Sequence, residues 1–166
     1  DRQADVCIVG GGFTGLWTAF ELKTRDPSLD VVVIEKTVCG AGGSGANAGF
    51  AVSLWFQFQL LESIAGTDEA LRLCRASVDT IGELGEFSSR HSIGSQWQRQ
   101  GSIWGATCKL QSGHWDTVLD GLAKHQIHLF KPLNREQITE LTGTTAHIAG
   151  LLDESTALIH PGFLVR

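Results

Sequence analysis

The residues with the clearest chemistry are three glycines, Gly10-x-Gly12-x-x-Gly15, and a carboxylate, Glu35, twenty residues beyond the last of them. A turn of this spacing can cradle a pyrophosphate. Gly10 permits a tight turn, Gly12 lets the backbone approach a phosphate, and Gly15 lets a following helix pack closely. Gly11 reads as the variable position of the pattern. Free N–H groups and the positive dipole end of that helix favour an anion. A carboxylate at Glu35 can accept hydrogen bonds from both hydroxyls of an adenosine ribose. It would repel a 2′-phosphate, which disfavours NADP.

A glycine pattern means little without the elements that position it. Ala4–Val9 is a short apolar run of the composition of a buried parallel strand, and Leu16, Ala19, Phe20 and Leu22 follow at helical spacing. Val31-Val32-Val33-Ile34 is a second strand, ending at Glu35. Strand, glycine turn, helix and strand together predict an α/β dinucleotide site. Asp26-Pro27-Ser28 ends the helix. Residues 37–49, with five glycines, form a loop whose backbone is suited to approach a ligand.

The chain has 166 residues, 42% hydrophobic and 19% charged, a folded globular composition. A net charge of −5 offers no footprint for nucleic acid or an anionic membrane, and no apolar run reaches spanning length. Cys7, Cys39, Cys74 and Cys108 are widely spaced, which supports neither a zinc nor a redox motif and suits reduced cytoplasmic thiols. Cys7, inside the first strand, is expected to pack as a small buried apolar group. No metal site is expected. His125-x-x-His128 lacks a third ligand.

Further along, Val52–Ile64 reads as one apolar helix. A second helix is expected from a capping hydroxyl at Thr67 to about Arg90, with Leu71, Cys74, Val78, Ile81 and Gly85 on one face. Residues 96–108 read as strands with turns at Gly101 and Gly105, followed by a short helix carrying Trp115, Val118, Leu119 and Leu122. Leu129-Phe130 suggests a brief strand, and Asn134-x-x-Gln137 has the spacing of a capping box. His147–Leu152 and Thr156–Ile159 are expected to pair through a turn at Asp153-Glu154-Ser155. His160-Pro161 then opens a last helix, with Pro near its first turn.

Taken together, Gly10-x-Gly12-x-x-Gly15-x-x-x-Ala19-x-x-Leu22, Glu35, and Cys39-Gly-x-Gly-x-Ser44-Gly-x-Asn47-x-Gly49 resemble the D-amino-acid oxidase family of FAD-dependent oxidoreductases. The likeness is nearest to its glycine oxidase and gamma-glutamylputrescine oxidase-like branch. Asp153–Arg166 also resembles that family's return from substrate domain to FAD domain. The resemblance implies a Rossmann-like FAD-binding domain of the glutathione-reductase βαβ type, plus part of an α+β substrate domain. Residues 1–92 would be the first part of the FAD-binding domain, 93–158 part of the substrate domain, and 159–166 the return.

By the same resemblance, Gly10, Gly12, Phe13, Thr14 and Gly15 line the pyrophosphate, and Glu35 and Lys36 hold the adenosine end. Gly43, Ser44, Asn47, Ala48 and Gly49 contact pyrophosphate and flavin. The family more often has Arg at the position of Ala46 and Gly at that of Ala48, which bears on the substrate class. The implied activity is oxidation of an amine or amino-acid C–N bond by hydride transfer to flavin N5, and no catalytic residue is assigned. The family's members are much longer, so the chain reads as the N-terminal part of an enzyme, completed by a C-terminal part and inactive alone. The alternatives are an NAD-dependent dehydrogenase and a non-catalytic nucleotide-binding fragment.

Overall fold

A computed structural model describes residues 3–166. By its internal contacts the chain forms two compact units. One contains the chain up to Phe50, Ser88–Trp97 and Ile159–Arg166; the other contains Ala51–Phe87 and Gln98–Leu158.

The first unit starts with β1 (Val6–Val9), α1 (Phe13–Arg25) and β2 (Val31–Ile34). β1 and β2 are parallel, in register from Val6 opposite Val31 to Val9 opposite Ile34. α1 ends where Asp26 donates its N–H to the Leu22 carbonyl. The Lys23 ammonium then ties down the carbonyls of Pro27 and Leu29 at 2.5 and 2.8 Å. Gly15 packs α1 on β1, since a Cβ there would lie 3.2 Å from the Ile8 side chain and run into the Gly10 carbonyl oxygen.

Burial alternates along β1, and Cys7 falls on the exposed face, contrary to the expectation for a buried thiol. Cys7, Val32 and Ile34 line a hollow of about 810 Å³ with Gln3, Ala4, Asp5 and Asp30. Ile8, on the opposite face, lies beside Gly15 of α1, whereas Cys7 is exposed. Val9, two residues along, is 85% exposed.

The remaining elements are β3 (Phe50–Ala51), a 3₁₀ turn at Leu54–Gln57, α2 (Phe58–Ala65), α3 (Thr67–Arg90), β4 (Ser102–Ala106), α4 (Asp116–Ala123), β5 (Phe130–Leu133), α5 (Arg135–Thr142), β6 (Ala149–Asp153), β7 (Ala157–Leu158) and α6 (Pro161–Leu164). The single helix expected over Val52–Ile64 is thus broken. Ser53 is buried and extended, and the 3₁₀ turn precedes α2, which starts at Phe58. α3 begins at Thr67, but that hydroxyl donates to the Glu62 carboxylate at 2.8 Å rather than capping the helix. Gly66 supplies the first helical carbonyl, accepting from Ala70 N–H.

The second unit is an antiparallel sheet of order β4-β6-β5 with a helical layer against one face. Alternation along the strands puts Ala106, Leu151 and Phe130 on that face. There they join Trp55, Phe58, Ala70, Cys74, Trp115 and Leu122 in one apolar core. Ile138 of α5 is fully buried, and a Cβ on Gly150 of β6 would lie 2.5 Å from it. The capping box of α5 is present, with Gln137 N–H on Asn134 Oδ1 and Asn134 N–H on Gln137 Oε1, each at 2.9 Å.

Two expectations fail in this sheet. Gly105 lies inside β4 rather than at a turn, and the absent side chain leaves room for the His147 imidazole. The turn at Asp153-Glu154-Ser155 is present, with the buried Asp153 carboxylate accepting from Ser155 N–H and both neighbouring hydroxyls. The strands on either side of it do not pair. β6 is the central strand, between β4 and β5, whereas Leu158 of β7 bridges Gln98. Among the described residues no helix is long and apolar enough to cross a membrane.

Candidate functional site: a glycine turn and its companion loop

The site lies in the first unit, at the carboxyl end of β1. Gly10 has φ +106°, a conformation that side chains rarely tolerate, and its N–H continues the parallel ladder to the Ile34 carbonyl at 2.7 Å. Gly12 is the N-cap of α1 and has no side chain to cap it, and the first turn carries no acid. Such a terminus is electrostatically open to an anion.

The loop 37–49 folds over this terminus. Ser44 Oγ accepts the Phe13 N–H at 3.0 Å, and a Cβ on Gly12 would lie 2.9 Å from that same hydroxyl. Asn47 braces the loop internally: its amide nitrogen donates to the carbonyls of Gly43 and Ser44 at 3.0 and 2.9 Å, and its oxygen accepts Gly49 N–H at 2.8 Å. Both polar atoms of Asn47 are therefore engaged in the loop. Thr14, Lys36, Gly43 and Ala48 are exposed.

Gly49 is buried at φ +76°, and its carbonyl accepts Ile159 N–H at 2.9 Å. Val165 packs on Gly40, a second left-handed glycine at φ +77°. His160 N–H reaches the Ser95 carbonyl at 2.6 Å, and buried Ser95 shares a hydroxyl–hydroxyl bond with Ser88. Segments far apart in sequence thus hold the loop from behind. Of these, only the 159–166 return was pointed to by the sequence.

At Glu35 the carboxylate lies against the turn. Oε2 accepts Gly11 N–H at 2.8 Å and Oε1 accepts Thr37 N–H at 3.2 Å. These two amides, Gly11 first, hold the Glu35 carboxyl below the usual carboxylate range. It is ionised at neutral pH and oriented by the backbone.

Gly11 is the residue that pattern reading missed. It is buried, and a Cβ there would lie 2.6 Å from Cys39 Sγ and 3.2 Å from Glu35 Cβ. Gly11 has less room than Gly12, whose nearest obstacle, the Ser44 hydroxyl, would lie 2.9 Å from a Cβ. No local signal separates the two, because the obstacle at Gly11 comes from a residue 28 positions away.

His125 Nε2 lies 3.0 Å from Glu62 Oε1 and its ring is edge-on to Phe58. Among the described residues no group of three or more His, Cys, Asp or Glu could hold a metal ion. Trp115 is buried, and Trp104 stacks on Phe56, centroids 3.9 Å apart.

A parallel βαβ unit with a glycine turn, an open helix terminus and an acid after the second strand defines a dinucleotide-binding α/β protein. Residues 5–166 match the model of the FAD dependent oxidoreductase family, DAO, and the chain belongs to that family. The family is FAD-dependent, so the NAD-dehydrogenase alternative falls. The chain is 29% identical to the probable oxidoreductase OrdL of Haemophilus influenzae, over 96% of this chain and 37% of that protein. It is 28% identical to gamma-glutamylputrescine oxidoreductase of Escherichia coli, over 95% of this chain and 36% of that protein. The chain therefore spans little more than a third of these relatives.

Among solved structures, glycine oxidase from Geobacillus kaustophilus superposes with a TM-score of 0.74 at 23% identity, covering 99% of this chain and 43% of that one. An L-amino acid deaminase from Proteus vulgaris gives 0.71 at 20% identity, covering 99% and 41%. These likenesses show the fold.

Proposed function

We propose that the protein to which these residues belong oxidises the C–N bond of a small amine or amino acid, with FAD held by the glycine turn and the loop 37–49. The carrying observation is the pairing of an acid-free helix terminus, with glycine at its N-cap, with the Glu35 carboxylate oriented on the turn beside it. The fit is chemical. An acid-free helix start and glycine backbone suit a diphosphate, and an ionised acceptor after β2 suits a ribose diol.

In this reading Gly10, Gly12, Phe13, Thr14 and Gly15 surround the pyrophosphate, and Glu35 and Lys36 take the adenosine end. Gly43, Ser44 and Gly49 approach pyrophosphate and flavin. Asn47 and Ala48 shape that approach, Asn47 by its bonds within the loop. When bound, FAD would supply the two-electron chemistry, acceptance at flavin N5 of a hydride from the amine-bearing carbon. This chain's residues bind and orient it, and none is assigned a catalytic proton transfer.

The substrate reading is supported by the named activities of the relatives, gamma-glutamylputrescine oxidoreductase and, for the fold, glycine oxidase. We assign residues 1–92 and 159–166 to the FAD-binding domain and 93–158 to a substrate domain. The return at Ile159 coincides with a division between compact units, while Ala51–Phe87 groups with the second unit. A cytoplasmic location is supported by four free cysteines.

The test is a visible spectrum of the purified protein, followed by anaerobic addition of candidate amines. A flavin band at about 450 nm that bleaches with an amine is expected. A colourless protein that binds no added FAD would sink the reading.

A further inference from the structure

We infer that Gly11 is a positioning residue for the Glu35 carboxylate, and that the Cys39 thiol is the surface that excludes a side chain there. The inference rests on the proposed reading of Glu35 as the acceptor for the adenosine ribose.

Gly11 is fastened on three sides. Its N–H donates to Glu35 Oε2 at 2.8 Å, and its carbonyl accepts Gly40 N–H at 2.9 Å. Its missing Cβ would lie 2.6 Å from Cys39 Sγ. Its φ is not in the left-handed region, so space rather than backbone conformation demands glycine here. The other nearby atoms, Glu35 Cβ at 3.2 Å and Cys39 Cα at 3.3 Å, need to yield only a few tenths of an ångström. Sulfur is thus the main obstacle, and it is removable by mutation.

A methyl group at residue 11 would push apart two things that Gly11 now joins: the carboxylate and the start of the loop at Gly40. Glu35 would keep its Thr37 amide at 3.2 Å but lose its shorter bond. A carboxylate that has lost its shortest bond is freer to rotate, and a bidentate contact to a ribose diol is sensitive to that orientation. Cys39 is not among the residues assigned to the ligand. It acts only by occupying the space opposite Gly11.

The experiment uses the purified protein and four forms: the parent, Gly11→Ala, Cys39→Ala, and the double variant. Binding of ADP and of 2′-deoxy-ADP is measured for each, and the ratio of the two dissociation constants reads the ribose contact. The parent is expected to prefer ADP by about tenfold or more, the worth of a hydrogen bond to a charged group. Gly11→Ala should bring that ratio to about one, and Cys39→Ala should leave it near the parent value. The double variant should recover most of the preference.

A purely structural role would weaken both nucleotides together and leave the ratio unchanged, which would overturn the inference. A parent with no preference for ADP would instead remove the ribose reading and the inference with it. If Gly11→Ala fails to fold, the double variant carries the test. It must then fold and show the ADP preference, and a double variant that is unfolded or indifferent to the 2′-hydroxyl overturns the role given to Cys39.

Discussion

The glycine turn with its companion loop and the helix–sheet core of the second unit are held together by different physics. In the turn and loop, order comes from backbone donors meeting single acceptors: Gly11 N–H on Glu35, Phe13 N–H on Ser44, Gly49 N–H on Asn47. α1 beside them has no fully buried residue. In the second unit Phe58, Cys74, Leu122, Ile138 and Leu151 are all at most 1% exposed, and the order comes from volume. A core of that kind tolerates exchange of one apolar shape for another of similar size. The turn tolerates little, because each position there is defined by the absence of a side chain or by one acceptor atom. The first arrangement leaves backbone groups available at a helix terminus; the second provides stability.

The strongest break of this contrast is Phe58→Ala. Phe58 is fully buried against Trp55 and His125, with ring centroids 6.2 and 5.2 Å away. Truncation should cost about 3–5 kcal/mol, read by chemical denaturation. FAD affinity of the molecules that remain folded should be unchanged, and an equal loss of affinity would break the separation of roles.

Gly49→Ala comes next. The left-handed backbone and the Ile159 carbonyl leave no place for a Cβ, so strain of about 1–3 kcal/mol is expected. The flavin retained after dialysis should fall by more than the drop in melting temperature suggests. A variant with full flavin content would show that the loop does not approach the cofactor. A smaller effect belongs to Asn134→Ala, which removes the capping box of α5 at a cost of about 1 kcal/mol. Urea titration should show it with flavin content unaltered.

The smallest effect is the pH response of Glu35. Its carboxyl titrates lower in the folded protein than in the unfolded chain, so it favours the folded state above the unfolded value, about 4.3. That contribution fades as pH falls through the lower native value. Glu35→Gln should therefore flatten the acid limb of the stability profile and leave the neutral region nearly unchanged. An acid limb identical to the parent's would mean that the Gly11 and Thr37 amides give the carboxylate no net preference for the fold.

The elements legible in advance are those specified by neighbours in sequence. β2 is observed with the bounds read from its valine run, α1 ends at Asp26-Pro27, and the Asn134–Gln137 box closes as its spacing requires. Each depends on bonds spanning a few residues, so composition and spacing suffice. The tertiary structure decided what depends on meetings at long range. Cys7 is exposed on the face away from Gly15 of α1, and Gly105 is a strand residue paired with Gly150 beside the His147 imidazole. β6 became the middle strand by pairing with β4 and β5 instead of with its sequence neighbour. At the site, spacing marks Gly10, Gly12, Gly15 and Glu35. That Gly11, between them, has less room than Gly12 follows only from Cys39, a side chain brought against it by the return of the loop. A pattern records which residues a local turn needs, whereas the space left for a side chain is determined by whatever the folded chain places opposite it.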